Sequence, residues 1–183
     1  MRLPDTVKVS LLVLGTIALA PFLLLADECC SYVQSTAMLP TLKPNDKVGF
    51  VRYNIAPEPG DLIVFKNSGS TQIKRLIGLP GSQIQMTKGI LFINGRPTTR
   101  TRMPDYISES GPIKKWREVL PNGVAYDTLK MIDNSMFDTT PVFDVPPSSY
   151  FVLSDNRDNG TDSRAPIMGF ITAKDVIGKV TLH

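Results

Sequence analysis

The chain has 183 residues and a formal net charge of +3, which suits one compact domain with an appendage and leaves no charge excess that argues for a nucleic-acid partner. Its one histidine is His183, the last residue, so a Ser-His-Asp triad, a Cys-His pair and a histidine-ligated zinc are all poor readings. Proton transfer then falls to Lys, Asp, Glu or Tyr. The 15 prolines and 13 glycines cut the chain into short pieces and favour strands and turns over long helices.

Residues 9–26 read VSLLVLGTIALAPFLLLA without a charge, close to the roughly 20 apolar residues that a membrane-crossing helix needs. Arg2 and Lys8 precede the stretch and Asp27 and Glu28 follow it. The positive-inside bias then predicts a cytoplasmic N-terminus at 1–8, a single transmembrane helix at 9–26 and an extracytoplasmic domain at 27–183. A cleavable secretory signal is the alternative, but its apolar region is typically only about 7–15 residues. Cys29 and Cys30 are the only cysteines. Adjacent cysteines rarely meet disulfide geometry, so packing near the membrane is their preferred role, ahead of redox or lipid chemistry.

Next comes SYVQSTAMLPTL, residues 31–42, where small side chains at Ser35, Thr36 and Ala37 lead into an apolar loop stiffened by Pro40. Such a segment admits a close substrate backbone; a plain linker leaving the membrane is the alternative. Strands are predicted at 46–54, 61–66 and 71–79, with a turn at Pro57, Pro59 and Gly60 and a stop at Pro80-Gly81. A hairpin is expected from 83–86 and 90–93 about Thr87-Lys88-Gly89, followed by a turn at Asn94-Gly95. The region 96–149 is polar and without a steady period. Its basic run RPTTRTR reads as a solvated hairpin or loop face, residues 113–120 as a short helix or an edge strand, and Trp116 as packing. A strand at 150–153, a helical turn at 172–176 and a closing strand at 176–182 complete a mainly β chain: a folded antiparallel sheet or barrel with a small insertion.

Two further places can carry chemistry. Lys74 lies within the apolar strand 71–79, where desolvation lowers a lysine toward the range of a general base, although a lysine on a wet strand face is the commoner case. The loop 154–164, SDNRDNGTDSR, holds Asp155, Asp158 and Asp162 with Arg157 and Arg164. Those arginines oppose a calcium ion, so aspartate–arginine pairs that pin the loop are the better reading.

In sequence order, Ser35-x-Ala37-Met38-x-Pro40-Thr41-Leu42, Gly60-Asp61-Leu62-Ile63-Val64-Phe65, Ile73-Lys74-Arg75-Leu76-Ile77-Gly78-Leu79-Pro80-Gly81 and the loop Asp155 to Arg164 resemble the four blocks of bacterial type I signal peptidase. An N-terminal anchor precedes the blocks as it does in that family, and the compact size is similar to the related maturation peptidases of conjugation systems. The resemblance implies a Ser/Lys serine endopeptidase that removes signal peptides from exported preproteins at small-x-small sites. Such an enzyme sits in the bacterial cytoplasmic membrane with its catalytic domain outside.

The resemblance puts the general base on Lys74 and the oxyanion donors on the Ser35 hydroxyl and the backbone N–H of Ala37. It gives Asp155, Asn156, Arg157, Asp158 and Arg164 a bracing role, and seats the substrate as a strand beside residues 32–35 and beside the Lys74 strand. The lipid bilayer is a partner; no metal, cofactor or nucleic acid is implied. Two positions depart from the family pattern. Ala37 replaces the nucleophilic serine, which reads as an engineered inactivating substitution, with a natural non-catalytic module that binds precursors as the alternative. Gly160 replaces the serine that bonds the lysine, so Lys74 is expected to be held differently. A self-cleaving repressor protease shares the chemistry but carries a DNA-binding domain where this chain has an apolar span.

Overall fold

A computed structural model describes residues 28–52 and 56–181. The apolar stretch 9–26, and with it the expected membrane helix, lies outside them. Among the described residues no helix is long and apolar enough to cross a membrane. They form fourteen strands and one 3-10 turn at Ala173–Asp175. In chain order the strands are β1 (Glu28–Tyr32), β2 (Lys47–Arg52), β3 (Leu62–Asn67), β4 (Ser70–Gly78) and β5 (Gln83–Thr87). Then follow β6 (Ile90–Ile93), β7 (Arg96–Pro97), β8 (Thr99–Ser108), β9 (Gly111–Val119) and β10 (Ala125–Lys130). The last four are β11 (Phe143–Asp144), β12 (Ser149–Leu153), β13 (Ile171–Thr172) and β14 (Val176–Thr181).

A seven-stranded antiparallel sheet runs β1-β2-β14-β3-β4-β12-β13. Its centre explains why 62–65 is an unbroken apolar run: β3 is covered on both faces. Leu62 and Val64 point into a cluster with Met38, Leu42 and Phe50, whereas Ile63 and Phe65 join Leu76, Val152 and Met168. Alternate side chains of one strand thus feed two cores, as the two-residue period requires. A four-stranded sheet, β11-β5-β6-β7, closes the molecule. Here the alternation is clean: Ile84, Met86 and Leu91 enter a third core with Ile77 and Phe151, while Gln83 and Gln85 on β5 take the other face, exposed and half-buried.

The region 96–149 departs most from expectation. It is ordered as a three-stranded ribbon, β10-β9-β8, in which β9 is the middle strand rather than a helix or an edge. The ribbon has no apolar period because cross-strand polar pairs hold it. Arg117 stands opposite Asp127 and bonds it at 2.6 Å, Arg102 stands opposite Trp116, and Arg100 opposite Glu118. Such pairs each contribute roughly 0.2–1 kcal/mol. The ends of the region, β7 and β11, belong to the four-stranded sheet, so the insertion proper is the ribbon between them.

Candidate active site

Lys74 sits on β4 opposite Ile63 and is 4% exposed. Burial lowers its pKa, and nearby Asp162 and Asp155 only partly offset that effect. Its Nζ donates to Ser154 Oγ at 2.8 Å. Ser154 follows β12 and opens the charged loop, where its own N–H donates to Asp162 Oδ2 at 3.0 Å. Sequence reasoning assigned this serine no role. Its signal is the pairing of a hydroxyl at 154 with a missing one at 160.

Gly160 explains the pairing sterically. A Cβ there would lie 2.6 Å from Ser154 Oγ, 2.8 Å from the Ala37 methyl and 3.2 Å from Lys74 Nζ. The hydroxyl against the lysine comes from 154, and a side chain at 160 would collide with it and with the Ala37 methyl. Lys74 is therefore not short of a hydroxyl partner; the partner arrives from the other end of the loop.

Ala37 lies in a turn whose neighbours are fixed from two sides. Met38 and Leu42 anchor it in the core. The Asn156 N–H donates to the Ala37 carbonyl at 2.9 Å, Asn159 Nδ2 to Thr36 Oγ1 at 2.8 Å, and Thr41 Oγ1 to Asp155 Oδ2 at 2.5 Å. The Ala37 N–H donates to Ser35 Oγ at 3.1 Å, so the two expected oxyanion donors are adjacent but bonded to each other rather than both aimed into open space.

The bracing residues divide among separate cations. Asp155 receives Arg75 Nε and Nη2 at 2.7 and 2.5 Å, and Arg75 also lies 4.2 Å over the Tyr126 ring. Burial opposes the Arg75 charge, and Asp155 outweighs it, so its pKa is raised. Asp158 takes Lys130 Nζ at 2.9 Å and the N–H groups of Met131 and Ile132. These bonds hold its carboxyl below the usual range despite burial. Asp162 pairs with Arg164 at 2.8 and 2.7 Å and is likewise lowered against its burial. Each aspartate of the loop is thus neutralised by its own cation, which leaves none facing a shared dication.

Arg157 reaches out of the loop to Glu118 of β9 at 2.8 Å, and Tyr126 of β10 donates to the same carboxylate oxygen. Burial opposes the Arg157 charge, and Glu118 with Tyr126 overrides it and raises the pKa. Burial next to Glu118 likewise keeps the Tyr126 phenol protonated, its pKa well above the ordinary value. The expected aspartate–arginine pairing within the loop holds for Asp162 and Arg164. The partners from outside it, Arg75, Glu118, Tyr126 and Lys130, become visible only in the fold.

A cavity of about 530 Å³ opens at this point, lined by Tyr32, Ser35, Ala37, Ile73, Lys74 and Gly160 among others. Ser154, fully buried behind Lys74, is not part of its wall. Beside the cavity β12 pairs with β4 only from Arg75 to Gly78. On that side residues 70–74 have no strand partner among the described residues, and β1 is an outer strand of the same sheet. The cavity therefore lies between two backbone edges able to accept an extended peptide. Chemically, it presents a desolvated amine and the Ser35 hydroxyl, with a methyl group at position 37.

The whole of this arrangement has relatives. Residues 4–183 match the family model described as signal peptidase, peptidase S26. The chain is 44% identical over 134 residues to the signal peptidase I of Rickettsia typhi, and 43% identical over 133 residues to that of Rickettsia canadensis. Each alignment covers 67% of this chain and 50% of the relative, so the chain spans about half the length of the proteins it matches. A crystal structure of a signal peptidase I from Enterococcus faecalis aligns with 69% of this chain and 98% of its own at 28% identity, with a TM-score of 0.45. The match to the family model over nearly the entire sequence and the identity to the rickettsial proteins lead to one conclusion: the chain belongs to the signal peptidase family, peptidase S26, a family of serine endopeptidases.

Proposed function

We propose that the cavity receives the extended cleavage region of exported preproteins, with Lys74 as the general base and Ser35 and the Ala37 N–H as the oxyanion donors. The protein in this reading is a Ser/Lys signal peptidase whose attacking oxygen is missing at Ala37, so that it holds a precursor without cutting it. The observation that carries the proposal is the convergence of Lys74 Nζ, Ser154 Oγ and the Ala37 methyl around Gly160, at the wall of a cavity flanked by unpaired strand edges.

Asp155, Asn156, Arg157, Asp158 and Arg164 keep the loop in place around the base. A serine at 37 supplies the nucleophile: Lys74 takes its proton as the oxygen attacks the scissile carbonyl, and the resulting oxyanion is met by the two donors. The residues at 9–26 anchor the protein in the bacterial cytoplasmic membrane with the domain outside, next to emerging preproteins. The near-complete machinery favours a single serine-to-alanine exchange in a working peptidase, engineered rather than inherited, over a natural precursor-binding module.

The test is Ala37→Ser in the full chain, assayed in detergent or lipid with a precursor bearing a small-x-small site. The unaltered chain should bind that precursor and leave it intact, and the serine variant should cleave it after the small-x-small sequence. A serine variant that binds and still fails to cut would move the reading to the non-catalytic module.

A further inference from the structure

The basic run 96–102 plays no part in the peptidase reading and is for the most part the solvated hairpin face expected, with Arg96 and Arg102 exposed and Arg100 half-buried. Arg100 and Arg102 line a second cavity of about 460 Å³ together with Lys88, Lys114, Lys130 and Trp116. It lies where the ribbon meets the β5–β6 turn and the loop that follows β10. Three of its five cations are answered by carboxylates: Arg102 by Asp105, Lys114 by Asp133 at 2.6 Å, and Lys130 by Asp138 at 2.7 Å and Asp158 at 2.9 Å. Arg100 and Lys88 have no ion pair among the described residues.

Arg100 is built in rather than loose. Its guanidinium lies 4.2 Å over the Trp116 ring, and its Nη1 donates to the Gly89 carbonyl at 3.1 Å. Burial, and after it the nearby Arg157, lower its pKa; Glu118, Asp138 and Asp158 offset this only in part, and none of them pairs with the guanidinium directly. Its Nε and the Trp116 Nε1 are buried donors with no acceptor among the described residues. Buried donors are nearly always satisfied, and an uncompensated buried cation is costly.

We propose that this cavity binds a phosphate-bearing anion, a phosphate ester or a free phosphate, between Arg100 and Lys88. The planar guanidinium fork matches phosphate oxygens, an ammonium adds a point charge, and two unanswered cations suit phosphate better than a single carboxylate. The volume leaves room for an organic group beside the phosphate, with the Trp116 face as its apolar wall.

Trp116 is the only tryptophan of the chain, so its fluorescence reports on this cavity alone. The full chain in detergent is titrated with sodium phosphate at ionic strength held constant with chloride. In parallel it is mixed with phosphatidylcholine vesicles with or without about 30% phosphatidylglycerol. The expected result is a saturable change in at least one arm, half-complete at or below ~1 mM in the phosphate arm. It should weaken about tenfold or more in Lys88→Gln and in Arg100→Gln, the loss expected for one charge-assisted hydrogen bond. Lys88 is an exposed turn residue, so its variant keeps the test valid should Arg100→Gln misfold. A response to phosphate identifies the free anion, and a response only to the anionic vesicles identifies a lipid headgroup; both support the site. No change in either arm, a change that chloride reproduces, or undiminished binding by Lys88→Gln would overturn it.

Discussion

Lys74 Nζ and Ser154 Oγ are 2.8 Å apart, and a Cβ on Gly160 would fall 2.6 Å from that oxygen and 3.2 Å from the amine. The two residues 154 and 160 therefore act as one position split across a loop. Each choice at one end dictates the choice at the other.

Exchange of the two should be possible only as a pair. Gly160→Ser alone introduces a Cβ 2.6 Å from Ser154 Oγ and should cost about 1–3 kcal/mol of stability as an overpacked site. Ser154→Gly with Gly160→Ser should recover the part of that loss due to the Ser154 contact, and the 2.8 Å approach to the Ala37 methyl sets what remains. In the Ala37→Ser background, Ser154→Ala should lower kcat about tenfold or more by releasing the amine, and the double exchange should restore it. Thermal unfolding and single-turnover cleavage check both arms, and a freely tolerated Gly160→Ser would contradict the steric account.

Lys74 should leave its mark on stability as well as on activity. Its folded pKa is lowered by burial, so between that value and the unfolded value near ~10.4 the unfolded chain binds the extra proton. Stability should accordingly rise with pH across this window, and the cost of burying the charge should be fully present below it. Lys74→Met should remove this slope and stabilise the protein most at neutral pH, with the advantage shrinking as pH rises. Urea unfolding at several pH values reads the effect. In the Ala37→Ser background, cleavage should climb with pH through the same depressed pKa and vanish in Lys74→Ala.

Glu118 tests whether the ribbon matters to the site. Fully buried, it joins β9 to the loop through Arg157, and Tyr126, on the same carboxylate, lies against Arg75 next to Lys74. Glu118→Ala leaves the Arg157 charge uncompensated and should cost about 3–5 kcal/mol. The pair replacement Glu118→Leu with Arg157→Met should be far milder. Chemical denaturation separates the two, and equal losses would show that packing, rather than charge, is at stake.

Topology is the fourth expectation. Positive charge before the apolar stretch and negative charge after it predict that residues from about Asp27 onward lie outside the cytoplasm. Protease added to intact spheroplasts should digest the domain, and a protected domain would reverse the orientation.

Strands with an apolar run or a clean alternation, β3, β5 and β6, were legible from residue type alone, because burial of one or both faces writes directly into it. The sequence also narrowed the chemistry, since a chain whose only histidine is its last residue leaves proton transfer to Lys, Asp, Glu or Tyr, and the four motif blocks carried the resemblance that implies Lys74 as the base. Only the tertiary structure decided what those residues touch. The polar ribbon was unreadable because its stability comes from pairs such as Arg117 with Asp127 on different strands, which leave no periodicity in either. Glu118, Tyr126 and Lys130 looked like ordinary polar residues until the fold brought them to the loop. Ser154 gained its role from a distance of 2.8 Å to a residue 80 positions away, and Gly160 lost its apparent defect for the same reason. Contacts of that separation are set by how strands pair and sheets pack, and no local pattern encodes them.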